Sequence, residues 1–411
     1  EADSEFSDGR DFYALRYRRN IPEENGKAGY MLTAVDRPSI GREAYVHALD
    51  YDFKPSRPTR VYGWLSQAHI EDKGIKTTGT GARIVITNSF SDRLFVLWAI
   101  NYLDEDFNIN DMGYIESYGQ IMAGGYLQYI QPYQDKKSKI AQTVLGVNGG
   151  HNRSINGHGN GIGANLNYEI FLRDNSKIEL KCQCTVIRGK DYTETRKYAL
   201  APFVESLANY KFNFAYYSPR TEKIRPYYKF GFATGGYRVD QLNTDLRNDN
   251  VSLGLGLIMT PSSEFRIKLD FFQYMKETNW SVWQKENLFG YYEKEMISSG
   301  INLDWFVGNN QEFRLKAYIY GIKANNPRAY RVNQHGYMGI SADQINAFQL
   351  SEAAFQIRYK YEFSPLSNLY VVYTRGGKSS GALNDSFDGL YSNAWNTQTL
   401  DKFIVKIRYK F

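Results

Sequence analysis

Polar and apolar residues alternate along most of the chain, and the C-terminal segment shows this pattern most clearly. In residues 403–411 the side chains of Phe403, Val405, Ile407, Tyr409 and Phe411 share one side of an extended strand, and those of Ile404, Lys406, Arg408 and Lys410 share the other. A period of two over this length indicates a β-strand rather than a helix. Weaker examples are 29–36 and 82–88, and the clear ones are 12–18, 45–53, 59–70, 93–103, 124–131, 139–147, 162–172, 177–187, 210–217, 225–235, 251–259, 264–275, 300–307, 312–322, 354–363, 368–374 and 403–411.

The connections between these segments are of two kinds, and short ones tend to alternate with long ones. Short, turn-like connections are 54–58, 88–92, 173–177, 260–264, 307–311 and 364–368, and long polar ones are 70–81, 104–117, 148–161, 188–206, 236–250, 276–297, 323–351 and 375–400. Outer-membrane barrels combine short periplasmic turns with longer extracellular loops. We therefore predict an all-β fold over residues 1–411: one transmembrane antiparallel up-and-down β-barrel of about 18–20 strands.

The number of predicted strands is odd. Counting back from a periplasmic C-terminus, and assigning 196–206 to an external loop, gives 19 strands. Bacterial single-chain barrels have an even number of strands. We therefore expect a first strand upstream of Glu1, or one supplied by another part of the protein.

The composition agrees with a closed sheet whose outer face is apolar and whose inner face contacts water. Aromatic residues make up 16% of the chain, with 34 Tyr and 24 Phe, although the mean hydropathy is −0.52. No stretch reaches the 18 or so consecutive apolar residues of a spanning helix. The net charge is +6, but the bases are spread along the chain without a nucleic-acid-binding motif, so no nucleic-acid partner is expected.

Basic residues recur on the predicted inner face of strands in the second half of the chain. If the apolar face contacts lipid, this face lines a lumen, and rings of charge in a lumen select ions. The alternative is that a wide barrel simply needs hydrated, charged walls, and Asp270 and Glu362 could neutralise part of the charge. The predicted solute-contacting residues are Arg266, Lys268, Arg314, Lys316, Arg358, Lys360, Lys406 and Arg408.

Several stretches resemble the barrel domain of a family of uncharacterised outer-membrane proteins that carry an N-terminal carbohydrate-binding-like domain. They are "FYALRYRRNIPEENGKAGYMLTAVDR", "NYLDEDFNINDMGYIESYGQIMAGGYLQY" and the end "AAFQIRYKYEFSPLSNLYVVYTRGG…LDKFIVKIRYKF". The resemblance implies a Gram-negative outer-membrane, porin-like barrel and carries no catalytic residues. The resemblance does not extend to the carbohydrate-binding-like domain within residues 1–411, so we expect no sugar-binding role from such a domain in these residues. The final strand also resembles the recognition signal read by the barrel assembly machinery, formed here by Phe403, Val405, Ile407, Tyr409 and Phe411.

These patterns predict an outer-membrane channel or export conduit for polar or anionic solutes, with segments 323–351 and 375–400 long enough to fold inward. The alternative is a plugged, non-conducting barrel that anchors partner proteins in an envelope complex. Expected partners are outer-membrane lipid, lipopolysaccharide and the assembly machinery. No enzyme activity, cofactor or metal is expected, since His69 and His335 lie in or near predicted loops, and His151 and His158 lie in a glycine-rich loop without nearby carboxylates.

Deletion of Phe411 is expected to reduce the yield of assembled protein, because the terminal aromatic belongs to the predicted recognition signal. The measurement is the fraction of compact, heat-modifiable protein in outer-membrane preparations. Lys410→Ala, which keeps Phe411, serves as the control. Normal assembly of the deletion variant would count against the terminal signal.

Overall fold

The computed structural model describes residues 11–22, 25–111, 119–155, 159–185, 189–191, 203–219, 223–240, 246–383 and 385–410. Nineteen strands have nine residues or more, and with one short strand they form a twenty-stranded sheet. The strand pairs with a defined register are antiparallel, which confirms the all-β, antiparallel prediction. In the described part of the chain, no helix has the length and hydropathy of a membrane-spanning segment.

The nineteen long strands match the nineteen predicted segments in order, and most extend beyond them. The full set below also includes the short strands β11, β12 and β19. They are β1 (Asp11–Ile21), β2 (Gly26–Arg37), β3 (Arg42–Ser56), β4 (Thr59–Asp72), β5 (Ile75–Ser89), β6 (Leu94–Leu103), β7 (Gln120–Pro132), β8 (Ile140–Ser154), β9 (Gly159–Leu172), β10 (Lys177–Thr185), β11 (Lys190–Asp191), β12 (Val204–Glu205), β13 (Asn209–Tyr217), β14 (Ile224–Tyr237), β15 (Leu246–Ser262), β16 (Phe265–Lys285), β17 (Leu288–Val307), β18 (Gln311–Val332), β19 (Met338–Ile340), β20 (Phe348–Ser364), β21 (Ser367–Gly381) and β22 (Gln398–Arg408). The short strands β11 and β12 pair with each other, and one α-helix, α1, spans Phe387–Asn396.

The chain divides into two compact units. The first comprises Glu1–Gln131, Val144–Leu166 and Thr185–Lys190, and the second comprises Pro132–Thr143, Asn167–Cys184 and Asp191–Phe411.

In the first unit, β1 to β7 pair in chain order, and the register separates two faces. One face presents Leu15, Leu49, Leu65 and Ile100, each of which is more than half exposed. The other face presents polar and small residues, namely Arg16, Asp50, Ser66, Gly81, Arg83 and Asn101. An exposed, continuous apolar face on a sheet with a polar opposite face is the pattern of a strand set that contacts lipid on one side.

The second unit shows the same separation. Its apolar face includes Phe230, Leu253, Leu255, Ile301, Leu315, Ile357, Val371 and Val405. Its polar face includes Lys229, Ser252, Gln273, Asn302, Lys316, Gln356 and Lys406. Because the side-chain period of a strand is two, the antiparallel register keeps each set on one side of the strands of this unit.

Several connections predicted as long loops are strand instead. β4 and β5 are joined by a two-residue turn at Lys73 and Gly74, and β16 and β17 by Glu286 and Asn287. The left-handed backbone at Lys73, Gly74 and Glu286 forms these tight turns. Long connections remain at 104–119, 186–208, 333–347 and 382–397, so the predicted separation into short and long connections holds only in part.

The helix α1 was not predicted from the sequence. Ser386 caps its N-terminus by accepting a hydrogen bond from Gly389 N at 3.3 Å. Its buried residues Leu390 and Ala394 pack over small residues of β18, β20 and β21, and the Ser351 hydroxyl donates to the Leu390 carbonyl at 2.7 Å. Ser351 lies on the apolar face, so this part of segment 375–400 does not fold over the polar face, contrary to the expectation that it would fold inward.

The far ends of β14 to β18 share a separate hydrophobic core. Val239 and Met338 meet the aromatic residues Phe289, Tyr291 and Tyr330 there. β18 has 22 residues and is roughly 70 Å long at about 3.3 Å per residue. A membrane-spanning strand needs only about 9–11 residues. The extended hairpins therefore form a folded region well beyond the length that a bilayer would cover.

Two glycines of β15 allow a matched test of side-chain packing on the sheet. A Cβ at Gly256 would overlap the Tyr227 ring, whereas one at Gly254 would only touch Lys229 and Gln273 at 3.4 and 3.8 Å. Gly256→Ala is expected to destabilise the protein by about 1–3 kcal/mol through overpacking. Gly254→Ala should be close to neutral. Thermal unfolding of both variants in detergent measures the difference, and equal melting temperatures would contradict this packing.

Candidate solute-binding face

The eight basic residues singled out from the sequence lie on the polar face of the second unit. They occur in pairs, two residues apart, on four strands: Arg266 and Lys268 on β16, Arg314 and Lys316 on β18, Arg358 and Lys360 on β20, and Lys406 and Arg408 on β22. Cross-strand partners share a face, and the registers from β16 to β22 connect all eight. We call this set the basic face.

The register also aligns the basic residues into rows across the strands. One row contains Arg266, Asp304, Arg314 and Arg358, and the next contains Lys268, Asn302, Lys316 and Gln356. Directly opposed residues in antiparallel strands have Cβ atoms about 5 Å apart. The rows therefore form a contiguous surface rather than scattered charges.

Four carboxylates on the same face neutralise only part of this charge. Lys268 Nζ lies 3.1 Å from Asp270 Oδ2, Arg314 Nε lies 3.4 Å from Asp304 Oδ1, and Lys360 Nζ lies 3.8 Å from Glu362 Oε2. Glu312 also pairs with Arg314. Among the described residues, no carboxylate lies within 4 Å of the charged groups of five members: Arg266, Lys316, Arg358, Lys406 and Arg408. An excess of positive charge is left on the face.

Two arginines oppose each other directly. Arg314 on β18 is the cross-strand partner of Arg358 on β20, and the Arg358 guanidinium lies 5.5 Å from the centre of the Tyr370 ring. Like charges directly opposite each other destabilise a strand pair. An anion placed between them would relieve this repulsion, and guanidinium groups bind carboxylate and phosphate in two-point fashion.

The terminal-strand residues lie on the opposite face. Phe403, Val405 and Ile407 continue the apolar face and are exposed. Tyr409 follows the end of β22, and its ring stacks on Phe363 with a centroid distance of 6.4 Å. Phe411 lies outside the described residues. The role of these residues in assembly stays a prediction.

A tyrosine pair on the polar face was not recognised in the sequence. Tyr318 and Tyr320 of β18 lie on the same face as Lys316, and their hydroxyls donate to the two carboxylate oxygens of Glu352 at 2.6 and 2.8 Å. The register places these two aromatic residues on the polar face, not on the apolar face. The signal that could have identified them is their spacing, because Tyr318 and Tyr320 follow Arg314 and Lys316 at intervals of two.

In the first unit, residues 104–111 fold back onto the polar face. The ring of Phe107 is only 2% exposed, and it packs against Ala68 and Trp64 and over Gly79 and Gly81. A side chain at Gly79 would collide with the backbone of residues 106 and 107, so this position requires glycine for the close approach.

The same segment is held by an ion pair at its end. Arg42 donates from Nη2 to Asp111 Oδ2 at 2.8 Å and from Nε to Oδ1 at 3.0 Å, and Arg37 Nη1 lies 3.3 Å from Oδ1. The Asp111 side chain is 4% exposed. A segment predicted as an external loop is thus fixed in part against the polar strands.

The residues considered for metal binding do not form a ligand cluster in the described part of the chain. No group of three or more His, Cys, Asp or Glu side chains is placed to hold a metal ion among those residues. His151 Nδ1 is 3.0 Å from the carbonyl of Gly161, and His158 lies outside the described residues.

Asp111→Asn is expected to loosen residues 104–111, because breaking a buried ion pair costs about 3–5 kcal/mol. Hydrogen–deuterium exchange of this segment should accelerate strongly. Asp72→Asn is the matched control, because Asp72 also pairs with Arg42, at 2.7 Å, but its side chain is 47% exposed. A surface pair contributes at most about 1 kcal/mol. Equal exchange in both variants would contradict the anchoring role of Asp111.

Comparison with solved structures gives matches at low sequence identity. The crystal structure of Pseudomonas aeruginosa OpdL matches at 10% identity with a TM-score of 0.43, over 90% of this chain and 92% of that chain. BauA, the ferric preacinetobactin receptor from Acinetobacter baumannii, matches at 10% identity with a TM-score of 0.45, over 90% and 60%. The copper transporter OprC matches at 10% identity with a TM-score of 0.48, over 89% and 74%.

A search of curated proteins gives no match. The model of one protein family covers residues 23–411, almost the whole chain. The protein belongs to this family, which is described as a domain of unknown function, DUF5916.

Proposed function

We propose that the chain is an outer-membrane β-barrel whose polar face lines a water-filled channel. The apolar faces of both units expose large side chains such as Leu49, Trp98, Leu253 and Val405, which suits contact with lipid. The eleven residues of β22 and ten of the eleven of β1 are exposed. Unpaired strand edges are not tolerated in hydrocarbon, so a membrane location favours closure of the sheet.

The channel favours anionic and polar solutes. The observation that supports this preference is the basic face, where eight bases share one side of four strands, and five of them have no carboxylate within 4 Å among the described residues. Charges that line a pore attract counter-ions and raise their local concentration. In this proposal, Arg314, Lys316, Arg358 and Lys360 contact the passing solute.

Replacing Arg314 and Lys316 together by glutamine is expected to shift the channel towards neutral selectivity, because two of the pore-facing charges are removed. The measurement is the reversal potential of detergent-purified protein in planar bilayers under a potassium chloride gradient. The wild-type protein should show an anion preference, and the double variant should lose a substantial part of it.

Arg247→Gln with Lys276→Gln is the matched control. These two bases lie on β15 and β16, and the register places both on the apolar face. The control should keep the wild-type reversal potential. If both double variants shift the potential equally, the effect comes from net charge rather than from the basic face.

Absence of conductance in well-folded protein would contradict the channel. Together with stoichiometric co-purification of other envelope proteins, that result would support the alternative of a plugged barrel that anchors partners. The segment 104–111, which packs on the polar face, is the observation that keeps this alternative open.

A further inference from the structure

We propose that Tyr318, Tyr320 and Glu352 form a binding site for an acidic saccharide on the polar face of the second unit, a proposal that rests on this face being water-filled. The ligand would be a sugar ring that carries a carboxylate, such as a uronate unit of an oligosaccharide. The ring would lie on the tyrosines, and its carboxylate would point to Lys316.

The two tyrosine rings are parallel, and we call this pair the tyrosine floor. Their ring centroids are 6.4 Å apart and their planes differ by only 8°, so the two rings are stacked along β18. Glu352 fixes both hydroxyls, because each of its carboxylate oxygens accepts from one of them. A carboxylate that holds two parallel aromatic side chains preorganises a surface before any ligand arrives.

The space around Tyr318 is open. Its cross-strand neighbours on the same face are Gly300 on β17 and Ala354 on β20, and Gly376 follows on β21. Tyr318 is 46% exposed, the largest exposure among the tyrosines of β18. Small neighbours on both sides leave room for a ring-sized group to reach the phenol. No core packing explains a large exposed aromatic on this polar face.

The charges around the two tyrosines define the orientation in which an acidic sugar would bind. Lys316 lies two residues before Tyr318 on the same face, and Arg314 lies two residues before Lys316. Residues two apart on a strand are separated by about 6.6 Å, which is close to the width of one sugar ring. At the opposite end, Glu352 repels anions and can accept hydrogen bonds from hydroxyl groups. A ligand with an acidic end and a hydroxylated ring matches both ends.

The polar groups beside the floor also suit a hydroxylated ligand. Gln356 is the cross-strand partner of Lys316, and Lys378 is that of Glu352. Both side chains are exposed, and each offers hydrogen-bond donors to hydroxyl oxygens. Such polar groups around an aromatic surface fix the orientation of a ligand, while the aromatic rings supply the contact area.

The test is equilibrium binding of a galacturonic acid trimer to the purified full chain in detergent, compared with maltotriose and with benzoate. We expect saturable binding of the acidic trimer and binding of maltotriose about tenfold or more weaker, because a charged hydrogen bond to Lys316 contributes the difference. Lys316→Gln should abolish this preference. Tyr318→Leu should weaken the binding of both saccharides.

Gly300 allows a control that leaves the tyrosines in place. A Cβ at Gly300 would meet only ordinary contacts, the nearest being the carbonyl of Ala317 at 3.5 Å, so Gly300→Ala should fold and bind normally. Gly300→Leu would project beside Tyr318 and should block binding without changing the melting temperature strongly. If it unfolds the protein, Ala354→Leu approaches the same ring from the other strand.

The outcomes separate this site from the channel itself. Acidic-trimer binding that is unchanged in Tyr318→Leu, equal affinity for maltotriose, or binding of benzoate in preference to both saccharides would overturn the proposal. A conducting, anion-selective protein that binds none of the three ligands would reject the saccharide site and leave the channel standing. Binding without conductance would reject the channel and leave the site standing.

Discussion

Backbone hydrogen bonding imposes the constraint on which the other features depend. A strand in contact with hydrocarbon must satisfy each N–H and C=O group through its neighbours, so only a continuous array of paired strands is tolerated. The antiparallel registers from β16 to β22 provide this pairing over long distances. Because the same registers determine which side chains share a face, the backbone pairing that allows membrane contact also brings the basic residues together.

The strand segments could be predicted because the period-two signal is strong wherever one face is apolar and the other polar. The signal fades where both faces are polar or both are packed. Residues 276–297 read as a loop, yet β16 and β17 continue through them, and Tyr291 and Tyr292 are almost completely buried there. Tertiary packing of long hairpins, which adjacent residues in the sequence do not reveal, decides these cases.

The helix α1 could not be predicted from the sequence for a similar reason. It has ten residues and buries only Leu390 and Ala394, too few to give a visible helical period. Its place on the sheet depends on small residues from other strands, Gly321 and Gly377, whose positions opposite the helix follow only from the register. A single sequence does not indicate these long-range contacts.

Part of the candidate site could likewise be predicted from the sequence, and part could not. The alternation of side chains along a strand was enough to locate the basic residues of the polar face, because the two members of each pair are two residues apart and therefore share a face. The ion pairs that reduce their charge could be anticipated for Asp270, Glu312 and Glu362, which each lie two residues from a base on the same strand. The Arg314–Asp304 contact could not, because it joins different strands. The tyrosine floor was missed because an aromatic residue on a barrel strand suggests lipid contact, although the spacing of two from Lys316 already places Tyr318 and Tyr320 on the same face, as the register confirms.

The central claim is that one face of the sheet contacts lipid and the other contacts water. Spin labels placed one at a time at residues 313–319 of β18, in protein reconstituted into bilayers, test it most directly. Labels at 313, 315, 317 and 319 should collide mainly with oxygen, and labels at 314, 316 and 318 should collide mainly with a water-soluble nickel chelate. Equal access of the nickel chelate to both sets would contradict a lipid-facing sheet.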